Sequence, residues 1–355
     1  MTTIINEESK PKISSQQPLI TRLKRFGWPL AGLLVAIIIL VWRSFGDHPT
    51  PFQDLLSIIA LMVSTSAPVT LGALGGVFSE RSGVVNIGIE GEMLCGAFFG
   101  ATVSALTGQL WLGVLVAPLA GAVLAMLHAV LAIYFRIDQI ISGTVINILA
   151  YGLTNYLNIL IFSTTSNGRT PPSPFAGKVP SLEIPVGDLK YTFGAISIAA
   201  VVLVFVGQYV LFNTVWGLRT RATGENPRAA DTAGINVFAV RYYNVLISGL
   251  LAGLGGAYFS LQAVGHFEPG MTVGEGFIAL AAMIFGKWTP LGAWGAALLF
   301  GFSQALYSVL QNWYTQVGWL QAITSALPYV LTVIVLTGLI GRSRAPAAVG
   351  VPYVK

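Results

Sequence analysis

Asn86, Glu90 and Glu92 lie in a stretch that hydropathy places inside a membrane, ERSGVVNIGIEGEMLCGAFFG at 80–100. A carboxylate near the bilayer centre costs roughly 2.5–3.5 kcal/mol on insertion scales, and a buried amide needs partners. Such groups are retained where they face a protein interior or a wet path. Gly88, Gly91, Gly96 and Gly100 interleave with them and permit an unwound turn or a close backbone approach. Asn86 and Glu90 are four apart, so a continuous helix would set them on one face, with Glu92 pointing off it toward a neighbouring helix. The chemistry this pattern offers is passage of a polar solute along a broken helix. The competing reading has the glycines packing helix on helix and the carboxylates bonded within the bundle.

Other polar groups extend the pattern. Asn147, Asn155 and Asn158 carry amides suited to hydroxyl groups, as a sugar or ribose presents them. Interhelical bonding, worth about 0.6 kcal/mol each, is an equal alternative. A path lined by Asn86, Glu90, Asn147 and Glu275 is the expectation. Enzyme chemistry finds little purchase. His48, His128 and His266 are far apart and show no metal-ligand spacing, Cys95 is the single cysteine, and no nucleophile sits with a base. Gly286-Lys287 is followed by Trp288 and lacks the upstream glycine of a phosphate loop, so no ATPase site is expected in this chain.

A second constellation lies in the polar loop 214–240. Asn226 followed by Pro227 reads as a helix start, Asn as cap and Pro at the first helical position, and Gly234 is a natural stop. Between them PRAADTA forms a short helix expected to expose Arg228 and Asp231, with Ala229, Ala230 and Ala233 as a small flat face. It is either a solvated connector or an element that enters a groove on a partner.

These groups must be positioned by membrane helices. The chain is 54% hydrophobic and 9% charged, against about 25% charged in an ordinary soluble domain. Apolar segments of spanning character occupy 28–45, 55–77, 84–106, 110–135, 139–162, 191–213, 241–262, 272–285, 291–312 and 317–340. The segment 272–285 is short and reads as a broken or tilted helix. The expected fold is therefore an all-α polytopic membrane protein of about ten transmembrane helices. Residues 1–27 form a leader, 28–162 the first transmembrane half, 163–190 a proline-rich extracytoplasmic loop, 191–341 the second half and 342–355 a tail. The run at 28–45 follows Arg22, Lys24 and Arg25 but has no A-x-A site after it, so an uncleaved anchor is expected. Of the 19 basic residues, Arg43, Arg169, Lys178 and Lys190 fall on one side of this topology and the remaining fifteen on the other, which sets both termini in the cytoplasm.

An internal repeat organises the halves. Leu71-Gly-Ala-Leu-Gly-Gly-Val-Phe78 and Leu251-Ala-Gly-Leu-Gly-Gly-Ala-Tyr258 share four of eight positions, and each precedes a Glu-Gly pair, Glu90-Gly91 and Glu275-Gly276. The first copy ends a span running inward and the second one running outward, which is the arrangement of inverted repeats. A carrier or channel working alone would suit these features equally well.

The loop resembles the coupling helix of ABC importer permeases, whose A-A-x-x-x-G-I core stands as Ala229-Ala230 and Gly234-Ile235, with Arg228 in place of the usual Glu. ERSGVVNIGIEGEMLCGAF, GENPRAADTAGI and PGMTVGEGFIALAAMIFGKWTPLGAWGAALLFG are similar to the branch associated with uptake of nucleosides and related simple sugars, over roughly 55–341. Glu92 departs from it, being charged where an uncharged residue is expected. The resemblance implies a permease subunit in a bacterial inner membrane that pairs with a second, homologous permease. It further implies a cytosolic ATPase holding ATP and magnesium, and an extracytoplasmic binding protein or lipoprotein that delivers the nucleoside or sugar. Glu225, Asn226, Pro227, Arg228, Ala229, Ala230, Asp231 and Gly234 would then couple the ATPase to the spans. No cofactor or metal is expected in this chain, and no nucleic acid as partner.

Overall fold

Long apolar runs with few charges dictate helices, and a computed structural model describes residues 51–166, 178–186, 189–313 and 344–355. The leader 1–27 and the expected spans 28–45 and 317–340 lie outside the described residues. In chain order the helices are α1 (Pro51–Arg81), α2 (Ile89–Thr107), α3 (Leu110–Ala129), α4 (Gln139–Ser166), α5 (Ala195–Asn213), α6 (Val215–Glu225), α7 (Pro227–Thr232), α8 (Val237–Ala257), α9 (Glu275–Phe285) and α10 (Pro290–Trp313). Wider π turns prolong α3 over Val130–Tyr134 and α8 over Tyr258–Val264. Among the described residues six helical stretches are long and apolar enough to cross a membrane, Leu56–Arg81, Ile89–Thr107, Leu110–Tyr134, Gln139–Phe162, Ala195–Asn213 and Val237–Val264. The chain is a multi-pass membrane protein.

Two expectations are corrected here. The fold is not purely helical: within the loop 163–190 and the start of the expected span at 191, strands β1 (Ser181–Val186) and β2 (Leu189–Gly194) pair antiparallel, Ser181 opposite Gly194. The helix that follows begins at Ala195, because the pairing holds the backbone extended up to Gly194. The third expected span does not begin at Val84. Residues 84–88 are unwound and α2 starts at Ile89.

The two glycine-rich segments of the sequence lie on helices that pack centrally. Helix α1 packs against α9 and α10, and α8, which carries the second copy, packs against α2 and α3. Small residues bring the central helices together. A Cβ on Gly96 would stand 2.3 Å from the Gly253 carbonyl oxygen, and one on Gly256 would stand 1.9 Å from that of Met93. Backbone contact of this kind is how membrane helices gain packing where lipid is as apolar as leucine. The outer faces are the reverse of a soluble core: Leu115, Leu119 and Val123 of α3, Val145 and Ile148 of α4, and Phe205 of α5 are all exposed.

Candidate functional site

The break between α1 and α2 holds its backbone open with side chains from three helices, α1, α3 and α4. An unwound segment inside a membrane protein must find partners for every N–H and C=O. The Ser79 hydroxyl donates to the Val84 carbonyl at 2.7 Å, and Gln139 Oε1 accepts from the Val85 N–H at 2.7 Å. His128 Nε2 lies 2.8 Å from the Val85 carbonyl and its Nδ1 3.0 Å from the Ser142 hydroxyl. A carbonyl only accepts, so Nε2 carries the proton. Asn147 Nδ2 donates to the Ile87 carbonyl at 2.9 Å while its Oδ1 accepts from the Gly91 N–H at 2.8 Å, so one amide closes the break from both sides.

Asn86 and Glu90 consequently share no helix face, because Asn86 precedes the helix. Asn86 is fully buried, and its Nδ2 donates to both oxygens of Glu92, at 2.9 and 3.2 Å, and to the Ser248 hydroxyl at 3.0 Å. Its Oδ1 accepts from the Gly88 N–H at 3.0 Å. Glu92 is thus buried with Asn86 as its partner, a residue of the break before its own helix and not of the neighbouring helix expected.

Glu90 points the other way, to the second half. Its Oε1 accepts from the Thr272 hydroxyl at 2.6 Å and the Gly274 N–H at 2.9 Å, and its Oε2 accepts from the Gly276 N–H at 2.7 Å. Thr272 lies just before α9, Gly274 is its cap residue and Gly276 is in its first turn, so Glu90 places a carboxylate where the positive end of a helix dipole favours one. A Cβ on Gly276 would fall 2.5 Å from the Glu90 Cα, so only glycine lets the two helix starts touch. The equivalent Glu275 does not return the favour. Its Oε1 accepts from Gln304 Nε2 of α10 at 2.7 Å, and its Oε2 is buried without a partner. Gly91, the counterpart of Gly276, is served by Asn147 instead. Three of the four expected path residues therefore engage the starts of α2 and α9, and Glu275 stands in the first turn of α9 with one oxygen unengaged. Asn155 and Asn158 lie further along α4, the first half-buried and the second buried.

The loop 214–240 folds as its sequence dictates. Asn226 Oδ1 accepts from the Ala229 N–H at 3.1 Å, Pro227 opens α7, and Gly234 at φ +79° ends it. The expected flat face of alanines is divided: Ala229 and Ala233 are exposed, but Ala230 is buried against Val237 and Tyr353. Arg228 is exposed, whereas Asp231 is half-buried and lies 3.7 Å from the Lys355 ammonium. Glu225 is exposed and accepts from the Ala347 N–H at 3.3 Å.

Several residues at these sites carry no motif. At the same end of the bundle the Trp288 indole donates to Glu80 Oε2, and Arg81 donates to the carbonyls of Trp288 at 2.7 Å and Lys287 at 3.3 Å. Lys287 and Trp288 both sit at positive φ, 55° and 52°, where a side chain is strained and where the arginine holds them. The roles of His128 and Gln139 carry no sequence signal, because a lone buried polar group has no spacing to read; a histidine within a hydropathic helix is the one hint. Near the hairpin, a cavity of about 460 Å³ is lined by Ser57, Ser64, Lys178, Thr192, Tyr258 and Gln262, and it includes none of the four expected path residues.

Residues 57–336 match the family of the branched-chain amino acid transport system permease component. The chain is similar to the guanosine ABC transporter permease protein NupQ of Bacillus subtilis, 44% identical over 85% of this chain and 99% of that one. It is 42% identical to the nucleoside ABC transporter permease protein NupC of Lactococcus lactis, over 84% of this chain and 96% of the relative. A putative glucose ABC transporter permease protein of Haloferax volcanii, TsgC13, is 38% identical over 69% of this chain and 74% of its own length. No solved structure matches.

Proposed function

The chain belongs to the branched-chain amino acid transport system permease family, as an ABC transporter permease subunit, and we propose that it imports nucleosides. The observation that carries this cargo is the 44% identity sustained over 99% of a guanosine permease. A related simple sugar is the second reading, favoured by the likeness to a putative glucose permease. A stand-alone carrier or channel is not favoured, because membership in this family makes the chain one component of an ATP-driven assembly.

In this reading a cytosolic ATPase, which holds ATP and magnesium, docks on Glu225 to Gly234, and the capped helix α7 is the element it grips. A second, homologous permease completes the membrane unit, and an extracytoplasmic binding protein or lipoprotein delivers the solute. Ten spans with both termini in the cytoplasm, in a bacterial inner membrane, are proposed from the distribution of basic residues. Asn86, Glu90, Asn147 and Glu275 mark the wall of the path. The bond from Glu90 to the start of α9 supports alternating access, because it ties the two half-helix ends that must part or slide when the path changes sides. Glu275 Oε2, buried and unengaged, is the group with capacity left for a solute hydroxyl.

The test is uptake in proteoliposomes carrying this chain with its co-purifying ATPase and permease, supplied with binding protein and a panel of nucleosides and glucose. ATP-dependent accumulation of nucleosides is expected. Accumulation that persists without ATPase and collapses with the proton gradient would overturn the reading.

A further inference from the structure

The segment 344–355 is bound along its length rather than hanging from the bundle. The Ala348 N–H donates to the Gly224 carbonyl at 2.9 Å, and the Gly350 N–H donates to the Gly83 carbonyl at 3.3 Å. The Ala347 N–H donates to Glu225 Oε2 at 3.3 Å, and Lys355 reaches Asp231. Tyr353 is 6% exposed and lies against Phe238, with ring centroids 5.4 Å apart, in an apolar cluster with Ala230 of α7 and Val237 of α8. Thus one short strap touches the end of α6, the buried face of α7, the start of α8 and the turn between α1 and α2.

Arg241 closes the arrangement from inside. It is 1% exposed, and its Nε donates to the Ser82 carbonyl at 3.2 Å while its Nη1 donates to the Val351 carbonyl at 3.1 Å. Gly83, at φ +98°, leaves room for that guanidinium: a Cβ there would stand 2.7 Å from Nη2 and 3.3 Å from the Ala348 carbonyl. The planar fork of an arginine spans two carbonyls at fixed separation, which a lysine does not. Ser82 and Gly83 lead directly into the unwound residues 84–88. Helix α7 makes no hydrogen bond to that turn among the described residues; the strap and Arg241 make the hydrogen-bonded connection, beside the close packing of Gly224, at the end of α6, on the Arg81 carbonyl, where a Cβ would stand 2.2 Å from the oxygen.

We propose that the C-terminal strap, locked by Arg241, is the link through which displacement of α7 moves the α1–α2 turn and so the break at 84–88. Arg241 and Tyr353 are positioning residues in this scheme. The proposal rests on the reading of α7 as the docking element. Push or pull on α7 reaches Ala230 and Asp231, passes to Tyr353 and Lys355, and leaves the strap at Gly350 and Val351 for Gly83 and Ser82. The buried half of α7 faces the strap, and its exposed half, with Arg228 and Ala229, is left for the partner.

The experiment compares the intact complex with one whose chain stops before Arg344, and with Tyr353→Ala and Arg241→Lys, in case the deletion lowers expression. Co-purification of the ATPase, ATP hydrolysis with and without loaded binding protein, uptake, and amide exchange at 82–88 are read in each. Expected in all three is a complex that keeps its ATPase but loses stimulation by the binding protein, with uptake per hydrolysed ATP falling at least tenfold. Exchange at 82–88 should respond to ATP in the intact complex and not in the variants. Uptake within twofold of the intact chain overturns the proposal, as does loss of the ATPase on removing the strap, which would make it a docking surface and not a link. The reading of α7 fails separately if Arg228→Ala with Asp231→Ala leaves the ATPase attached and uptake full.

Discussion

Glu90 and Gly276, 186 residues apart, join the starts of two helices: the carboxylate accepts the glycine N–H at 2.7 Å while the helix backbones touch. An anion at a helix N-terminus, held by three donors, is a strong local preference. The same bond lies at the contact between the repeats. In the proposed alternating-access scheme it is the bond that must part or slide when the path changes sides.

Glu90→Gln keeps the size but brings an NH₂ among three donors, so at least one is left without an acceptor. Hydrogen bonds to charged groups are worth about 1.5–3 kcal/mol. Uptake should fall at least tenfold while the permease complex still assembles, as judged by gel filtration and transport on the same sample. Full uptake with Gln, and failed assembly with a larger residue such as Trp, would make the position purely structural.

The break at 84–88 depends on side chains that supply its hydrogen bonds. His128→Phe removes the donor to the Val85 carbonyl and Gln139→Leu the acceptor of its N–H, each orphaning a backbone group at a cost of about 1–3 kcal/mol. Both variants should melt earlier in detergent and expose 84–88 to protease. Because the two act on one residue, their effects should not add, and strict additivity would argue against a shared role.

Close helix contact makes a sharp prediction. Gly256→Val forces a branched side chain toward the Met93 carbonyl, where even a Cβ stands at 1.9 Å. Overpacking typically costs about 1–3 kcal/mol, and here more because backbone must move. Gly295→Ala, which meets nothing within 4 Å, is the control and should leave the melting temperature unchanged or slightly raised. Equal behaviour of the two would contradict the packing described.

At α7, the paired change Arg228→Ala and Asp231→Ala removes an exposed cation and a half-buried anion whose ion pair to Lys355 is worth at most about 1 kcal/mol. Thermal stability should barely change. ATPase co-purification and ATP-dependent uptake should be lost, and a pull-down at matched expression decides between this and a passive connector.

Much of the plan was legible in the residues. Low charge and apolar runs called membrane helices, and Asn226-Pro227 with Gly234 called a capped short helix, because each signal is local. The glycines and polar groups of 84–92 called a broken helix. The unwound stretch nonetheless ends at Gly88, two residues past Asn86, so the four-residue spacing to Glu90 marked no common face. The division of the α7 alanines was hidden for another reason: Ala230 turns inward only because Tyr353 arrives to cover it. The hairpin at 181–194 interrupted a segment whose proline content alone had signalled a loop.

The class of molecule and its family could be read from the chain alone, since hydropathy and motif are properties of neighbours along it. Only the tertiary structure decided the partners: Glu90 with the start of α9, Asn147 with both sides of the break, Arg241 with the strap. Hydrogen bonds between residues 50 to 190 positions apart leave no spacing to read. They exist because a backbone unwound among membrane helices has no water to turn to, and must be met by whichever side chains the fold brings there.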